Sequence, residues 1–286
     1  MTLFALALVL SSAFFHATWN LFTKHAGGGA IFIWLFATLA AILYAPLAVV
    51  VVILQQPHIG ADELLFMGGS VVLHLAYFLL LGQGYRVGDL SLVYPLSRGI
   101  GPMLATVAAI GFFGERPSLL ALSGAVLIGF GVFFLAGSPG KIRESETVPA
   151  VAYAALIGVL IASYTLWDKH AVSALLIPPI LYDWTNYLGR AVLLAPFALR
   201  RQEQVRATWV AHRLEAVGAA LLSPLSYILV LTALVISPVS YVAPAREISI
   251  LIGAALGARL LAEEHASRRL AAAGAIVLGV LALALG

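Results

Sequence analysis

Thr18-Trp19-Asn20-Leu21-Phe22-Thr23-Lys24-His25 and Ser163-Tyr164-Thr165-Leu166-Trp167-Asp168-Lys169-His170 are two renderings of one pattern. Each carries an aromatic residue, a hydroxyl or amide, a leucine, a second aromatic and a closing Lys-His. The correspondence extends outward. Ser91, Val93, Pro95, Ala105, Ala109 and Glu115 recur in order as Ser240, Val242, Pro244, Ala254, Ala258 and Glu264. Gly124 and Gly129 recur as Gly274 and Gly279 after one extra residue. The chain reads as two related copies, residues 1–137 and 149–286, joined by a polar linker over 138–148 that opens on Ser138-Pro139-Gly140.

Hydrophobic residues fill 62% of the 286 positions and charged residues only 10%, too little charge to keep a water-facing surface wet. Spanning about 30 Å of hydrocarbon takes roughly 20 helical residues. Apolar stretches of that order fall near 3–22, 30–53, 63–85, 90–112, 118–137, 149–168, 175–199, 213–234, 238–262 and 268–285. Backbone amides must be satisfied inside lipid, which selects helices; the alternation of a barrel strand is absent. The expectation is an all-α membrane protein of ten transmembrane helices. Five spans per copy is odd, so the second copy enters from the opposite face and the copies form inverted repeats. Transporters built this way hold their sites near mid-bilayer between the copies.

The opening Met1-Thr2-Leu3-Phe4 lacks the basic start of a cleaved signal peptide, so the first span reads as a retained helix. Loop cations are uneven. Lys24, Arg86, Lys141, Arg143, Arg200, Arg201, Arg206, Arg213, Arg259, Arg268 and Arg269 fall on one side, Arg116 and Lys169 on the other. The positive-inside rule then predicts termini facing outward from the cytoplasm. The stretch from Arg200 to Arg213, with Trp209, is expected along the headgroups. With no cysteine there is no disulfide, thiolate metal site or cysteine nucleophile. The formal charge of +3 is scattered rather than gathered in a stripe, so no nucleic-acid partner is expected. Hydrolase, metalloprotease and Walker-type signatures are missing. No enzyme activity, cofactor or metal site is expected.

Ser91-Leu92-Val93-Tyr94-Pro95-Leu96 leading the fourth span, Gly111-Phe112-Phe113-Gly114-Glu115-Arg116-Pro117 closing it, and Gly124, Gly129 and Gly131 in the next resemble the drug/metabolite transporter superfamily, in its ten-helix form of two EamA-type domains. The second copy is looser, with Ala243-Pro244 and Ala262-Glu263-Glu264-His265 in the corresponding places. Within that superfamily the chain is most similar to bacterial amino-acid exporters, including those for aromatic amino acids. The resemblance implies an inner-membrane secondary transporter working by alternating access, with helices one, three, four, six, eight and nine lining a central cavity and helices five and ten as scaffold. With both copies fused, a monomer is expected to suffice.

The polar positions inside the spans are candidates for contact with a small-molecule substrate, an amino acid above all. Ser12, His16, Trp19, Asn20 and Thr23 share a face of the first helix, a stripe lipid does not tolerate. No Asp or Glu lies on that helix, which argues against the membrane carboxylate of small proton-driven multidrug pumps and favours facilitated movement. Ser70, His74, Tyr77 and Phe78 group on the third helix; Ser223, Ser226 and Tyr227 group on the eighth. Tyr94, Ser97, Arg98 and Gly101 stripe the fourth. Pro95, Gly99 and Gly101 there, and Pro244 in the ninth beside Tyr241, Arg246 and Glu247, are the expected hinges. Arg98, Arg246 and Glu247 form either an internal salt bridge or a clamp for an amino acid, guanidinium to carboxylate and carboxylate to ammonium. Trp19, Tyr77, Tyr164 and Trp167 are the aromatic walls. Asp183, Asn186, Tyr187 and Arg190 read as a structural network on the seventh helix, and Glu115 and Glu264 as caps. The rival expectations are efflux of hydrophobic drugs or cations, and, in another class, a non-transporting membrane subunit or lipid-modifying enzyme.

Overall fold

The computed structural model describes residues 1–87, 90–136, 148–258 and 266–286; the linker and Glu264 lie outside them. The described residues form eleven helices and no strand: α1 (Leu3–His25), α2 (Ala30–Gln55), α3 (Ala61–Val87), α4 (Leu90–Phe113), α5 (Leu119–Ala136), α6 (Val148–Ser173), α7 (Pro179–Leu199), α8 (Gln202–Ile236), α9 (Val239–Ala245), α10 (Ile248–Ala258) and α11 (Ala266–Leu285). By length and composition, six of them can cross a bilayer, and α5 and α11 contain shorter apolar helices. Large apolar side chains such as Ile53, Leu64, Val107, Phe130, Val192 and Leu278 are each more than half exposed. On a soluble surface such a belt would aggregate; here it marks a membrane-embedded protein.

Local chemistry sets the ends. Thr2 caps α1 through Ala5 N at 3.2 Å, and Lys24 and His25 sit in its last turn, where cations suit the helix dipole. Glu63 reaches back to Gly60 N at 2.8 Å. Glu115 accepts from Val239 N at 2.7 Å and Ser240 N at 2.9 Å, so the loop after α4 caps the start of α9. α8, at 35 residues, outruns a bilayer and leaves helical geometry at His212 (φ −133°, ψ 29°). The break sets residues 202–211, with Arg206 and Trp209, apart from the apolar remainder.

Two differences from the sequence reading matter. α6 runs on to Ser173, beyond the expected end at 168, which places Asp168 inside the helix. The interruption expected twice occurs once. α4 is continuous through Pro95, Gly99 and Gly101, whereas the ninth span divides at Arg246 and Glu247. There the ladder tightens to i+3 bonds: Glu247 N to Pro244 O at 3.0 Å, Ser249 N to Arg246 O at 3.1 Å and Ile250 N to Glu247 O at 3.0 Å, a 3₁₀ passage of the kind that marks hinges.

Packing between the first five helices and the last six comes in exchanged pairs. Trp34 Nε1 of α2 donates to Ala191 O of α7 at 3.0 Å, and Trp184 Nε1 of α7 donates to Ala41 O of α2 at 2.8 Å. Gly69 of α3 lies against Trp167 of α6, and Gly218 of α8 lies against Phe22 of α1. Gly124 of α5 and Gly279 of α11 approach so closely that a Cβ on either would meet the other's carbonyl oxygen at 2.6 Å. Further along α5, Gly131 meets Ala272 and Ile276. Residue numbers rise on α5 as they fall on α11, so this pair is antiparallel; α2 and α7 are antiparallel by the same argument.

Candidate functional site

Among the described residues, six charged side chains are buried on α4, α6, α7 and the passage between α9 and α10. Arg98, Arg190 and Arg246 supply the cations; Asp168, Asp183 and Glu247 supply the anions. The numbers balance, which is the condition under which lipid-embedded protein tolerates charge. Glu63, the other buried acid, is occupied at Gly60.

One end of this string is an ion pair. Arg98 Nε stands 3.0 Å from Glu247 Oε2, and Arg98 Nη2 reaches Ser249 Oγ at 3.5 Å. In the register that lays Ser91–Pro95 on Ser240–Pro244, Arg98 falls on Glu247, so two corresponding positions face each other. A void of about 10 Å³ lies beside them, lined in part by Gly99, Pro102, Met103, Gly129 and Pro244, with room for roughly one water.

The other end is built on Asp168, which is 0% exposed. Its Oδ1 accepts from Ser70 Oγ at 2.8 Å and Tyr182 OH at 2.7 Å, and its Oδ2 accepts from Tyr227 OH. His74 Nε2 stands 3.7 Å from Oδ2. Behind it, His74 Nδ1 faces Ser70 O at 3.0 Å and Asn186 Nδ2 at 3.1 Å. Rings close the cluster: Tyr164 stacks on His74 at 4.3 Å, Tyr227 meets His74 edge-on at 5.3 Å, and Tyr77 meets Tyr164 at 5.8 Å. The Arg246 guanidinium lies over the Tyr227 ring at 5.3 Å and so links the two ends. Arg190 covers Tyr187 at 4.1 Å and Phe78 at 5.3 Å. Asp183 is buried, and its Oδ2 has no hydrogen-bond donor. Among the described residues no three His, Asp or Glu converge as a metal-ligand set.

The structure therefore brings together His74, Tyr77, Phe78, Tyr164, Tyr227, Arg246, Glu247 and Arg98, with Ser97 buried beside them on α4. His16 and Trp19 pack on each other at 5.2 Å, and Trp19 leans on Phe36 in an apolar region. The Asn20 amide donates to its own helix at His16 O, 2.8 Å away. Trp167 turns from the cluster: its Nε1 donates to Phe66 O at 2.8 Å and its ring stacks on Phe66 at 4.2 Å. Tyr241 is bonded at the chain end, to Gly286 O at 3.4 Å and from Ser118 N at 3.4 Å. Gly99 and Gly101 serve close approach, to Phe133 and Ile161. The side chains of Tyr94 and Pro95 lie outside the described residues. Asp168 and Tyr182 were not singled out from sequence. Asp168 was visible only as the counterpart of Thr23, and Tyr182 stood one place before the polar face read on the seventh span.

No family model matches the chain, and no curated protein matches it. A solved structure described only as "Crystal structure of protein" superposes with a TM-score of 0.77 over 98% of this chain and 98% of its own, at 15% identity. That likeness is one of fold alone.

Proposed function

We propose that this chain is a secondary transporter of the membrane, an exporter of amino acids or similar small metabolites, built from two inverted copies over residues 1–137 and 149–286 and related to the EamA-type drug/metabolite transporters. The exchanged Trp34 and Trp184 bonds and the antiparallel α5–α11 and α2–α7 pairs support a half-turn in the membrane plane. The observation that carries the function is the charge-balanced string from Arg98 to Asp168 along the interface between the copies. A scaffold of the same shape made from apolar residues avoids the cost of burying six charges, whereas a zwitterionic cargo needs a guanidinium, a carboxylate and aromatic walls within one site. Arg246 and Arg190, which lie over rings without a carboxylate at ion-pair distance among the described residues, disfavour a hydrophobic cation as cargo. The void beside Glu247 is far smaller than an amino acid, so on this reading the interface is closed here and opens during transport. The 3₁₀ passage after Pro244 is the natural hinge.

The rival that one observation favours is a membrane subunit without transport, since Arg98 and Glu247 satisfy each other. Uptake and counterflow of labelled amino acids in liposomes containing the purified chain separate the two. Exchange of at least one amino acid is expected, and folded protein that moves none defeats the proposal.

A further inference from the structure

We propose that Asp168, with His74 as its relay, is a proton-loading site; its use to drive cargo rests on the transport reading above. Three hydroxyls, from Ser70 on α3, Tyr182 on α7 and Tyr227 on α8, point at one carboxylate on α6. A carboxylate only accepts, and three O–H donors suit that form; a carboxylic acid must donate one bond and turn a hydroxyl away. The network is thus arranged around an anion, yet its donors are neutral. Glu247 has a fixed cation in Arg98. Asp168 has within ion-pair distance, among the described residues, only His74. A buried anion without a fixed cation is the group that takes up a mobile one. The hydroxyls and the stacked rings of His74 and Tyr164 occupy the places an ammonium would need, whereas a proton needs no room.

The route is drawn in the same contacts. A proton on His74 Nδ1 donates to Ser70 O, with the Asn186 amide then donating to Ser70 Oγ instead of to the ring, which leaves Nε2 to collect a second proton and pass it to Asp168 Oδ2. Oδ2 then becomes O–H and loses the bond from Tyr227; release to the opposite face restores it. One proton enters and one leaves, with nothing oxidised or reduced. The charged and titratable groups around this step are known. From α7 come Tyr182, Asp183, Tyr187 and Arg190. Tyr227 comes from α8, Arg246 and Glu247 from the hinge, and Arg98 from α4, held by Glu247. On α6 itself, Tyr164 stacks on His74, Lys169 is turned to Leu234 O and Ser237 O, and His170 is stacked on Phe66. Because Tyr227 belongs to α8, protonating Oδ2 releases α8 from α6 while Ser70 and Tyr182 keep their bonds to Oδ1, which ties proton uptake to a movement of α8.

The other copy holds no equivalent. In the register of the repeat, Asp168, Ser70, Tyr182 and Asn186 correspond to Thr23, Ala219, Phe32 and Phe36, and Ala219, Phe32 and Phe36 belong to one buried apolar cluster. Among the described residues Asp168 is the one carboxylate ringed by three hydroxyls, and the proposal assigns one proton per cycle to it.

Two assays on the purified full chain test this. Infrared difference spectra across a pH titration in detergent follow the carboxylic-acid C=O band. A band that Asp168→Asn removes, and that His74→Gln shifts to a different pH, is expected. In liposomes, a pH gradient is expected to concentrate labelled amino acid toward a limit of about tenfold per pH unit for one proton, and Asp168→Asn to reduce that ratio to its value without a gradient. Should Asp168→Asn not purify folded, Asp168→Glu and His74→Gln carry the same test through a displaced titration. An infrared titration or a gradient-driven ratio unchanged by these substitutions overturns the proposal. An Asp168 band that titrates in wild-type protein moving no amino acid supports the loading site and overturns the amino-acid reading alone.

Discussion

At the scale of single residues, Arg98 and Glu247 decide whether the buried charge serves stability or work. Removing one partner leaves the other charged and alone, so Arg98→Ala or Glu247→Ala is expected to cost about 3–5 kcal/mol, read as a lowered melting temperature in detergent. Replacing both by methionine removes the unpaired charge and is expected to recover most of that loss. Transport is expected to stay abolished in the double variant, because the guanidinium and carboxylate are gone. A double variant that is stable and transports at the wild-type rate refutes the clamp; one that cannot be purified folded shows a purely structural pair. The same residues show what could be read from sequence. Arg98, Arg246 and Glu247 stood out because a charge deep in an apolar run has no bland explanation. Asp168 did not, because the sixth span was ended at that residue, and an acid at a helix end looks like an interface group. The five helical residues from Lys169 to Ser173 carry little hydropathy of their own, and Lys169 bonds to α8 while His170 stacks on α3.

At the scale of elements, glycines report how near the helices lie. A methyl at Gly124 meets the Gly279 carbonyl at 2.6 Å, whereas one at Gly111 meets nothing within 4 Å. Gly124→Ala must push two backbones apart and is expected to destabilise by about 1–3 kcal/mol. Gly111→Ala is expected to be neutral or to gain up to about 1 kcal/mol from helix propensity. Thermal unfolding of the two variants side by side measures the difference, and equal melting temperatures contradict the α5–α11 contact. A second element test uses Trp34→Phe and Trp184→Phe. Each removes one of the exchanged α2–α7 hydrogen bonds to a carbonyl that keeps its helical partner, expected to cost about 0.5–1.5 kcal/mol apiece. Unequal losses would speak against the matched roles of the two bonds. Helical character was legible, since the described residues of each expected apolar stretch are mostly helical, those of the ninth in two pieces. The single interruption was not: Pro95 and Pro244 carry the same local signal, and only the second lies beside a passage where the ladder tightens, around two buried charged residues that tertiary contacts position.

At the scale of the whole molecule, two groups of helix contacts are chemically unlike. The α3–α6–α7 side is held by hydroxyls, an amide and charges around Asp168. The α1–α2–α8 side is packed from Trp19, Phe32, Phe36, Ala219 and their neighbours. If the interface opens during transport, tying α3 to α7 must stop it. Val71 and Gly189 offer the place: a Cβ built on Gly189 lies 3.2 Å from Val71 Cβ, close to the usual disulfide separation of about 3.5–4.5 Å. The native chain has no cysteine, so Val71→Cys with Gly189→Cys is the sole pair that can oxidise. Oxidised protein is expected to lose amino-acid exchange in liposomes and to regain it on reduction, with each single-cysteine chain indifferent to oxidant. Because a static scaffold would tolerate the same cross-link without consequence, full exchange by verified oxidised protein would mean that α3 and α7 never part, and alternating access through this interface would have to be abandoned.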